Sequence, residues 1–298
     1  MRRDIPVAVP LDLELTLGPL RRGLHDPTMR LSPARATRAW RSPEGPVTLH
    51  LALDRDLLVA EAWGPGAAWA LDAVPALVGL DDAAADEYVP GHAGLARLRL
   101  RLRGLRIGRT AAVLDALVPA ILEQRVTRAE AFGALHRLVR DHGERAPGPH
   151  GLWLLPSPSA LASLPTWTYH RVGVEERRAL AVRRAAECAD ALERAAAMPL
   201  PGAYARLRAI PGVGPWTAAE VGARALGDPD AVSVGDVHLP DLVAWALAGE
   251  PRGTDARMLE LLAPYAGQRG RVIRWLEAAG LRAPRFAPRR APRWIAAI

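Results

Sequence analysis

Leu11, Leu13, Leu15 and Leu17 alternate with Asp12, Glu14 and Thr16, a period of two that predicts a half-buried strand. Val47, Leu49, Leu51 and Leu53 repeat the pattern, and an Asp54-Arg55-Asp56 turn leads from them to Leu57 and Val59. The second strand is therefore expected to return as a hairpin. With a helix around 67–79, these elements predict a small antiparallel sheet domain over residues 1–107.

Beyond residue 108 the alternation gives way to helical spacing punctuated by Pro, Gly and capping residues. Thr127 followed by Glu130 makes a capping box for a helix running to about Asp141, ahead of Gly143. Four prolines between Pro147 and Pro158 mark a loop. A long charged helix is expected over 174–197, with shorter ones near 203–209, 215–226, 236–248, 255–262 and 267–279. Residues 95–109 carry both patterns: Leu and Arg alternate from Arg97 to Arg103, while Leu95, Leu98, Leu102 and Leu105 fit a helix, which is preferred. The fold class is thus α+β, with an N-terminal small antiparallel sheet domain, an all-helical domain over 108–281 and a basic tail over 282–298.

Composition narrows the chemistry. Among 298 residues, half are apolar, enough for a sizeable core and two domains. No apolar run reaches the roughly 18 residues of a membrane span, and Met1-Arg2-Arg3-Asp4-Ile5-Pro6 leads into no apolar signal core, so a cytoplasmic, nucleoid-associated location is expected. The lone Cys188 excludes an internal disulfide or a four-cysteine iron–sulfur cluster. The 39 basic residues exceed the 32 acidic ones, for a net charge of +7, a bias compatible with a polyanionic partner. Every basic residue is arginine and none is lysine, which excludes Schiff-base and lysine-nucleophile mechanisms. Arg97, Arg99, Arg101, Arg103, Arg106 and Arg109, like Arg282, Arg285, Arg289, Arg290 and Arg293 in the tail, are expected without nearby acids, as solvated basic faces.

The most specific segment is Ile210-Pro211-Gly212-Val213-Gly214-Pro215-Trp216-Thr217-Ala218. Two glycines one residue apart permit a sharp turn and a close backbone approach. Gly214 then opens a helix with Pro215 where a missing N–H is harmless, leaving amides exposed for a phosphate oxygen. Alone, the string also reads as an ordinary Gly/Pro turn. A second loop, Gly227 to Gly235, leads to Asp236, which lies 20 residues after Trp216.

Hairpin, loop and spacing together resemble the helix-hairpin-helix DNA glycosylase superfamily, in its 3-methyladenine DNA glycosylase II branch, and the resemblance extends more weakly over nearly the whole chain. It implies a phosphate-gripping hairpin of Gly212, Val213 and Gly214, with Thr217 beside it, and a monovalent cation held by the Ile210 and Gly212 carbonyls. No other cofactor is implied. It implies Asp236 as the catalytic aspartate, Trp216 facing the base pocket and Tyr265 on the far side of the cleft. Gln124 and Arg125 match the turn that carries the wedge inserted into DNA, where the family usually has an apolar residue after the glutamine. The chain also departs after the acid, with Val237-His238-Leu239 in place of Leu-Gly-Leu, and Asp241 therefore stands as a rival acid.

Cleavage of an N-glycosidic bond builds positive charge on the sugar, which one nearby carboxylate can stabilise. An N-cap is the ordinary structural role for the same aspartate, and the two are compatible. Family members that also nick DNA use a lysine at the position of Trp216. The expectation is a monomeric, monofunctional hydrolase acting on alkylated purines, 3-methyladenine and 7-methylguanine, in damaged double-stranded DNA. Two other readings stand beside it: a non-catalytic helix-hairpin-helix DNA-binding protein, and a glycosylase for oxidised or deaminated bases. Nine tryptophans against two phenylalanines suit stacking against a cationic base. Trp245 and Trp275 are expected in the core, and no role is assigned to Trp167, Tyr169 and His170.

Overall fold

The computed structural model describes residues 1–284 together with 292 and 295. Arg285, Arg289, Arg290 and Arg293 of the expected tail lie outside the described residues. A five-stranded antiparallel sheet occupies the N-terminal third, in the order β1-β5-β4-β3-β2. Its strands are β1 (Arg2–Pro6), β2 (Met29–Ser32), β3 (Arg35–Ser42), β4 (Gly45–Asp54) and β5 (Leu57–Trp63). The β4–β5 hairpin turns at Arg55, whose φ is +53°.

The strand expected over 11–17 is instead helix α1 (Leu13–Leu17). The Asp12 carboxylate accepts the Leu15 amide at 2.9 Å, and Leu13, Thr16 and Leu17 are the buried residues. A cap and an i, i+3, i+4 stripe thus override the alternation. Strand β3 escaped the pattern for the opposite reason: Ala36 to Trp40 are all buried, because the helical domain covers the face that would otherwise be polar. Arg38 on that face pairs with Asp115.

Helices α2 (Ala67–Leu77), α3 (Ala84–Glu87) and α4 (Ala93–Arg101) lead into the helical domain. There follow α5 (Val113–Leu122), α6 (Arg128–His142), α7 (Pro158–Ser163), α8 (Thr166–Arg171), α9 (Glu176–Glu187), α10 (Ala189–Glu193) and α11 (Leu200–Arg208). The last are α12 (Pro215–Val221), α13 (Leu239–Ala248), α14 (Asp255–Leu262) and α15 (Arg269–Ala278). Two two-residue strands, β6 (Glu144–Arg145) just before the proline-rich loop and β7 (Trp153–Leu154) within it, pair antiparallel, so the region is not wholly helical. The Thr127 capping box forms as read. The helix expected over 174–197 breaks at Cys188 between α9 and α10, and this cysteine is exposed. Arg106 and Arg109 do find acids: Asp86 lies 2.9 Å from Arg106 and Asp81 2.9 Å from Arg109.

Three large apolar clusters, beside a small one of Ala39, Leu152 and Leu154, organise the described residues. One lies between the sheet, α1 and α2. Another joins α5, α6, α9 and the helices through residue 225, including Leu207, Ile210, Val213 and Ala218 of the hairpin region. The third joins α4 to α13, α14 and α15, with Val232 and Val234 of the Asp236 loop packed against it. A boundary at 107/108 falls between α4 and α5, yet α4 packs on helices at the far end of the chain. Trp275 is core, whereas Trp245 is 39% exposed, on the outer side of α13.

Candidate active site

The hairpin lies between α11 and α12. Gly212 adopts a φ of +100°, and a Cβ there would approach the Ala181 Cβ on α9 to 2.8 Å. Only glycine meets both demands. Val213 and Thr217 are buried, while Gly212 and Pro215 are exposed. Gly214 is the N-cap of α12, and nothing lies within 4 Å of a Cβ built on it. The second glycine thus leaves open space in front of the helix amides.

The turn after α5 meets this hairpin. The Gln124 amide donates to the Gly212 carbonyl at 2.9 Å and to the Thr217 hydroxyl at 2.8 Å. Arg125, next in the chain, is exposed and has a φ of +57°, a conformation that bulky residues adopt only when their surroundings impose it. Two supports impose it here. The buried Arg178 guanidinium donates to the Leu122 carbonyl at 2.6 Å, capping the end of α5, and Arg22 ion-pairs with Glu123 at 2.7 Å.

Asp236 stands across from the hairpin. Its Oδ2 accepts the Trp216 indole N–H at 3.1 Å, and its Oδ1 accepts the amides of His238 at 2.7 Å and Leu239 at 2.9 Å. One oxygen therefore caps α13 while the other faces the indole. Asp236 is half-buried and so remains reachable. The rival Asp241 is turned away, its carboxylate accepting the Gly253 amide at 2.9 Å. Tyr265 is half-buried and packs on the third cluster beside the loop's Val232 and Val234; burial raises its phenol above the ordinary value. Trp167 is exposed beneath the Arg171 guanidinium, and the buried Tyr169 donates to the Leu161 carbonyl at 2.7 Å.

The loop from Gly227 to Asp236 is laced at four positions by side chains, few of which the sequence announces. The Tyr204 hydroxyl donates to Asp228 at 2.5 Å, and Arg269 pairs with Asp230 at 2.5 Å. Ser233 donates to Glu220 at 2.5 Å, and the Gly235 amide reaches both oxygens of Asp255 at 3.1 Å. Burial alone would raise the Glu220 carboxyl, but Arg224, the Ser233 hydroxyl and Arg22 outweigh it and hold it below its usual value. The Glu220–Arg224 pair was legible as an i, i+4 spacing. Asp255 carried no signal, because its partner lies 20 residues upstream.

As a cation cradle the hairpin keeps one further lone pair on each of its two carbonyls. The Ile210 carbonyl already accepts the Val213 amide at 2.9 Å and the Gly212 carbonyl accepts Gln124, so an N–H dipole already sits at each oxygen. Among the described residues no group of three His, Cys, Asp or Glu side chains is placed to hold a metal.

No family model matches the chain. A Mycobacterium tuberculosis protein named "Probable bifunctional transcriptional activator/DNA repair enzyme AlkA" is 34% identical over 139 residues, 46% of this chain. The match spans 28% of that relative's length. Among solved structures, a 3-methyladenine DNA glycosylase from Archaeoglobus fulgidus superposes with a TM-score of 0.79 at 18% identity, covering 92% of this chain and 96% of its own. A Clostridium acetobutylicum 8-oxoguanine glycosylase/lyase, bound to DNA with cytosine opposite 8-oxoguanine, gives 0.72 at 12% identity, covering 94% and 97%. At such identities the superpositions establish the fold. In fold and in its partial sequence match the chain resembles the helix-hairpin-helix DNA glycosylases.

Proposed function

We propose that the protein is a monofunctional DNA glycosylase that hydrolyses the N-glycosidic bond of flipped-out alkylated purines, 3-methyladenine and 7-methylguanine, with Asp236 as its catalytic carboxylate. The observation that carries this reading is the Asp236 carboxylate aimed at the Trp216 indole, in a chain without a single lysine. Asp241 is withdrawn to Gly253, which favours Asp236 for the role.

In this reading the hairpin amides grip a phosphate of damaged double-stranded DNA. Arg125, at the tip of the turn, fills the gap left by the flipped base. The indole face of Trp216 stacks on the cationic base, gaining dispersion and cation–π attraction. As the bond from C1′ to the base nitrogen breaks, the base departs with the electron pair and loses its positive charge. Positive charge builds on the sugar and is stabilised by Asp236, already oriented by two amides and an indole so that little reorganisation is needed. Water adds to C1′ and gives its spare proton to Asp236 or solvent, leaving an abasic site with an intact backbone. Strand cleavage through a lysine Schiff base has no side-chain amine to start it. The protein acts as a monomer on nucleoid DNA; among its described residues no helix is long and apolar enough to cross a membrane.

The test is release of methylated bases from duplex DNA by wild type, Asp236→Asn and Asp241→Asn. Wild type and Asp241→Asn should release 3-methyladenine and 7-methylguanine, with strand breaks only after alkali. Asp236→Asn should be slower by about 10²–10³-fold and stay folded, since asparagine also caps helices. Equal release by wild type and Asp236→Asn would refute the assignment. Intact DNA binding without release by any protein would point to a non-catalytic binder, or to oxidised or deaminated bases as substrates.

A further inference from the structure

Pro19, in the N-terminal domain just after α1, offers its carbonyl to the buried Arg22 and the partly buried Arg224. Arg22 donates to it through Nη1, and Arg224 donates through Nε at 3.1 Å. Each guanidinium carries a carboxylate on its other side. Arg22 pairs with Glu123 at 2.7 Å, immediately before Gln124 and Arg125. Arg224 pairs with Glu220 at 2.6 Å, and Glu220 accepts the Ser233 hydroxyl at 2.5 Å. The Ser233 carbonyl in turn accepts the Asp236 amide at 3.2 Å. One arm thus ends one residue from the glutamine that ties down the hairpin, and the other ends at the backbone of the catalytic aspartate.

This arrangement is an expensive way to hold two helices together. Buried ion pairs contribute little net stability, because desolvation offsets the attraction. Here two like charges are also brought close: Arg22 is held below its ordinary value first by burial, with Arg224 adding to the effect against Glu123. Further bonds fix Arg22 in place, its amide donating to Asp26 at 2.6 Å and its carbonyl meeting His136 Nε2 at 2.7 Å. What such a cluster provides that apolar contacts do not is direction: its hydrogen bonds define an angle as well as a distance, while Arg22 and Glu123, whose facing Nε and Oε1 atoms are not hydrogen-bonded, are joined as an ion pair alone.

We infer that the cluster on the Pro19 carbonyl aligns the two sides of the cleft with each other, and that Glu220 and Ser233 are positioning residues for Asp236. The inference rests on the glycosylase reading for its catalytic consequence, but the alignment itself does not. Arg22 and Glu123 set the turn that carries Arg125; Arg224, Glu220 and Ser233 set the loop that carries Asp236; Pro19 makes the N-terminal domain the common reference. Misplacing a reacting group by about an ångström is enough to slow a reaction 10²-fold, so a partial release of the loop should be felt in turnover before it is felt in stability.

The experiment uses the full chain with Ser233→Ala, the restoring variant Ser233→Thr, and Glu123→Gln on the other arm. Three quantities are read: single-turnover base release from methylated duplex DNA, duplex affinity with melting temperature, and amide hydrogen exchange of residues 227–238. Ser233→Ala should slow release about tenfold and speed exchange of that segment, with affinity and melting temperature unchanged. Ser233→Thr should restore both. Glu123→Gln should also speed exchange over 227–238, although it lies on the opposite arm. Wild-type exchange in both Ser233→Ala and Glu123→Gln would overturn the alignment. So would a loss of release that tracks melting temperature and is not restored by threonine. If wild-type protein releases no methylated base, the glycosylase reading fails alone, and the exchange measurements still decide the alignment.

Discussion

The hairpin and the Asp236 loop meet at one hydrogen bond, from Trp216 to Asp236, but different physics holds each of them. The hairpin belongs to a large apolar cluster: Ile210, Val213 and Ala218 are buried in it, and Gly212 is pressed against α9. The loop contributes Val232 and Val234 to another cluster and is otherwise fastened by polar side chains at residues 228, 230, 233 and 235. A phosphate grip needs a rigid, pre-shaped backbone, which close packing supplies. A catalytic carboxylate needs a defined direction and a reachable oxygen, which hydrogen bonds supply without burying it.

The sharpest way to break the comparison is on the packed side. Gly212→Ala forces a side chain into a φ of +100° and within 2.8 Å of Ala181. Strain and overpacking together should cost about 2–4 kcal/mol, lowering the melting temperature by roughly 5–10 °C. Gly214→Ala, with a φ of −93° and open space around the new methyl, should leave the melting temperature nearly unchanged and instead weaken binding to duplex DNA. Thermal melts paired with DNA titrations separate the two glycines. Equal melting temperatures for both variants would mean that the hairpin is not held by close approach.

On the polar side the expected effect is smaller and of another kind. Asp255→Ala removes the acceptor of the Gly235 amide, a partly exposed bond whose loss should cost about 1 kcal/mol. Base release should slow several-fold while duplex affinity stays the same, because the hairpin is untouched. A parallel loss of affinity would show that the loop also contacts DNA.

This division explains what could be read in advance. The hairpin was legible because glycine, proline and apolar spacing are local signals, whereas the bonds from Gln124 to Gly212 and Thr217 join positions 88 and 93 residues apart and were not. Asp236 was legible through its spacing from Trp216. Ser233 and Asp255 were not, because a side chain that bonds a partner many residues away leaves no periodic trace, and Glu220 showed only its i, i+4 spacing to Arg224. The same limit explains α1, where a single capping aspartate overturned four alternating leucines, and β3, whose alternation was erased by burial on both faces.

Acid should act on the two regions with opposite signs. Glu220 and Asp230 tie down the loop, and in both, burial would raise the carboxyl but the arginine partners and hydrogen bonds outweigh it, leaving the value below normal. Their contribution to stability is present above the ordinary carboxylate range of about 4 and is lost as pH falls through their depressed folded values. Asp115 and Glu193 support α5 on the packed side. Burial raises both, against Arg38 for Asp115 and against the Leu114 and Val113 amides for Glu193. Their contribution is complete below the ordinary value and is lost as pH rises through the raised folded one. Lowering pH from neutral should therefore first tighten residues 113–122 and then, below about 4, release 227–238. Segment-resolved hydrogen exchange, corrected for intrinsic rates, reads both. Glu220→Gln should flatten only the lower step, and a uniform loosening of both segments would show that the loop and the helix unfold as one unit rather than as two regions held by different forces.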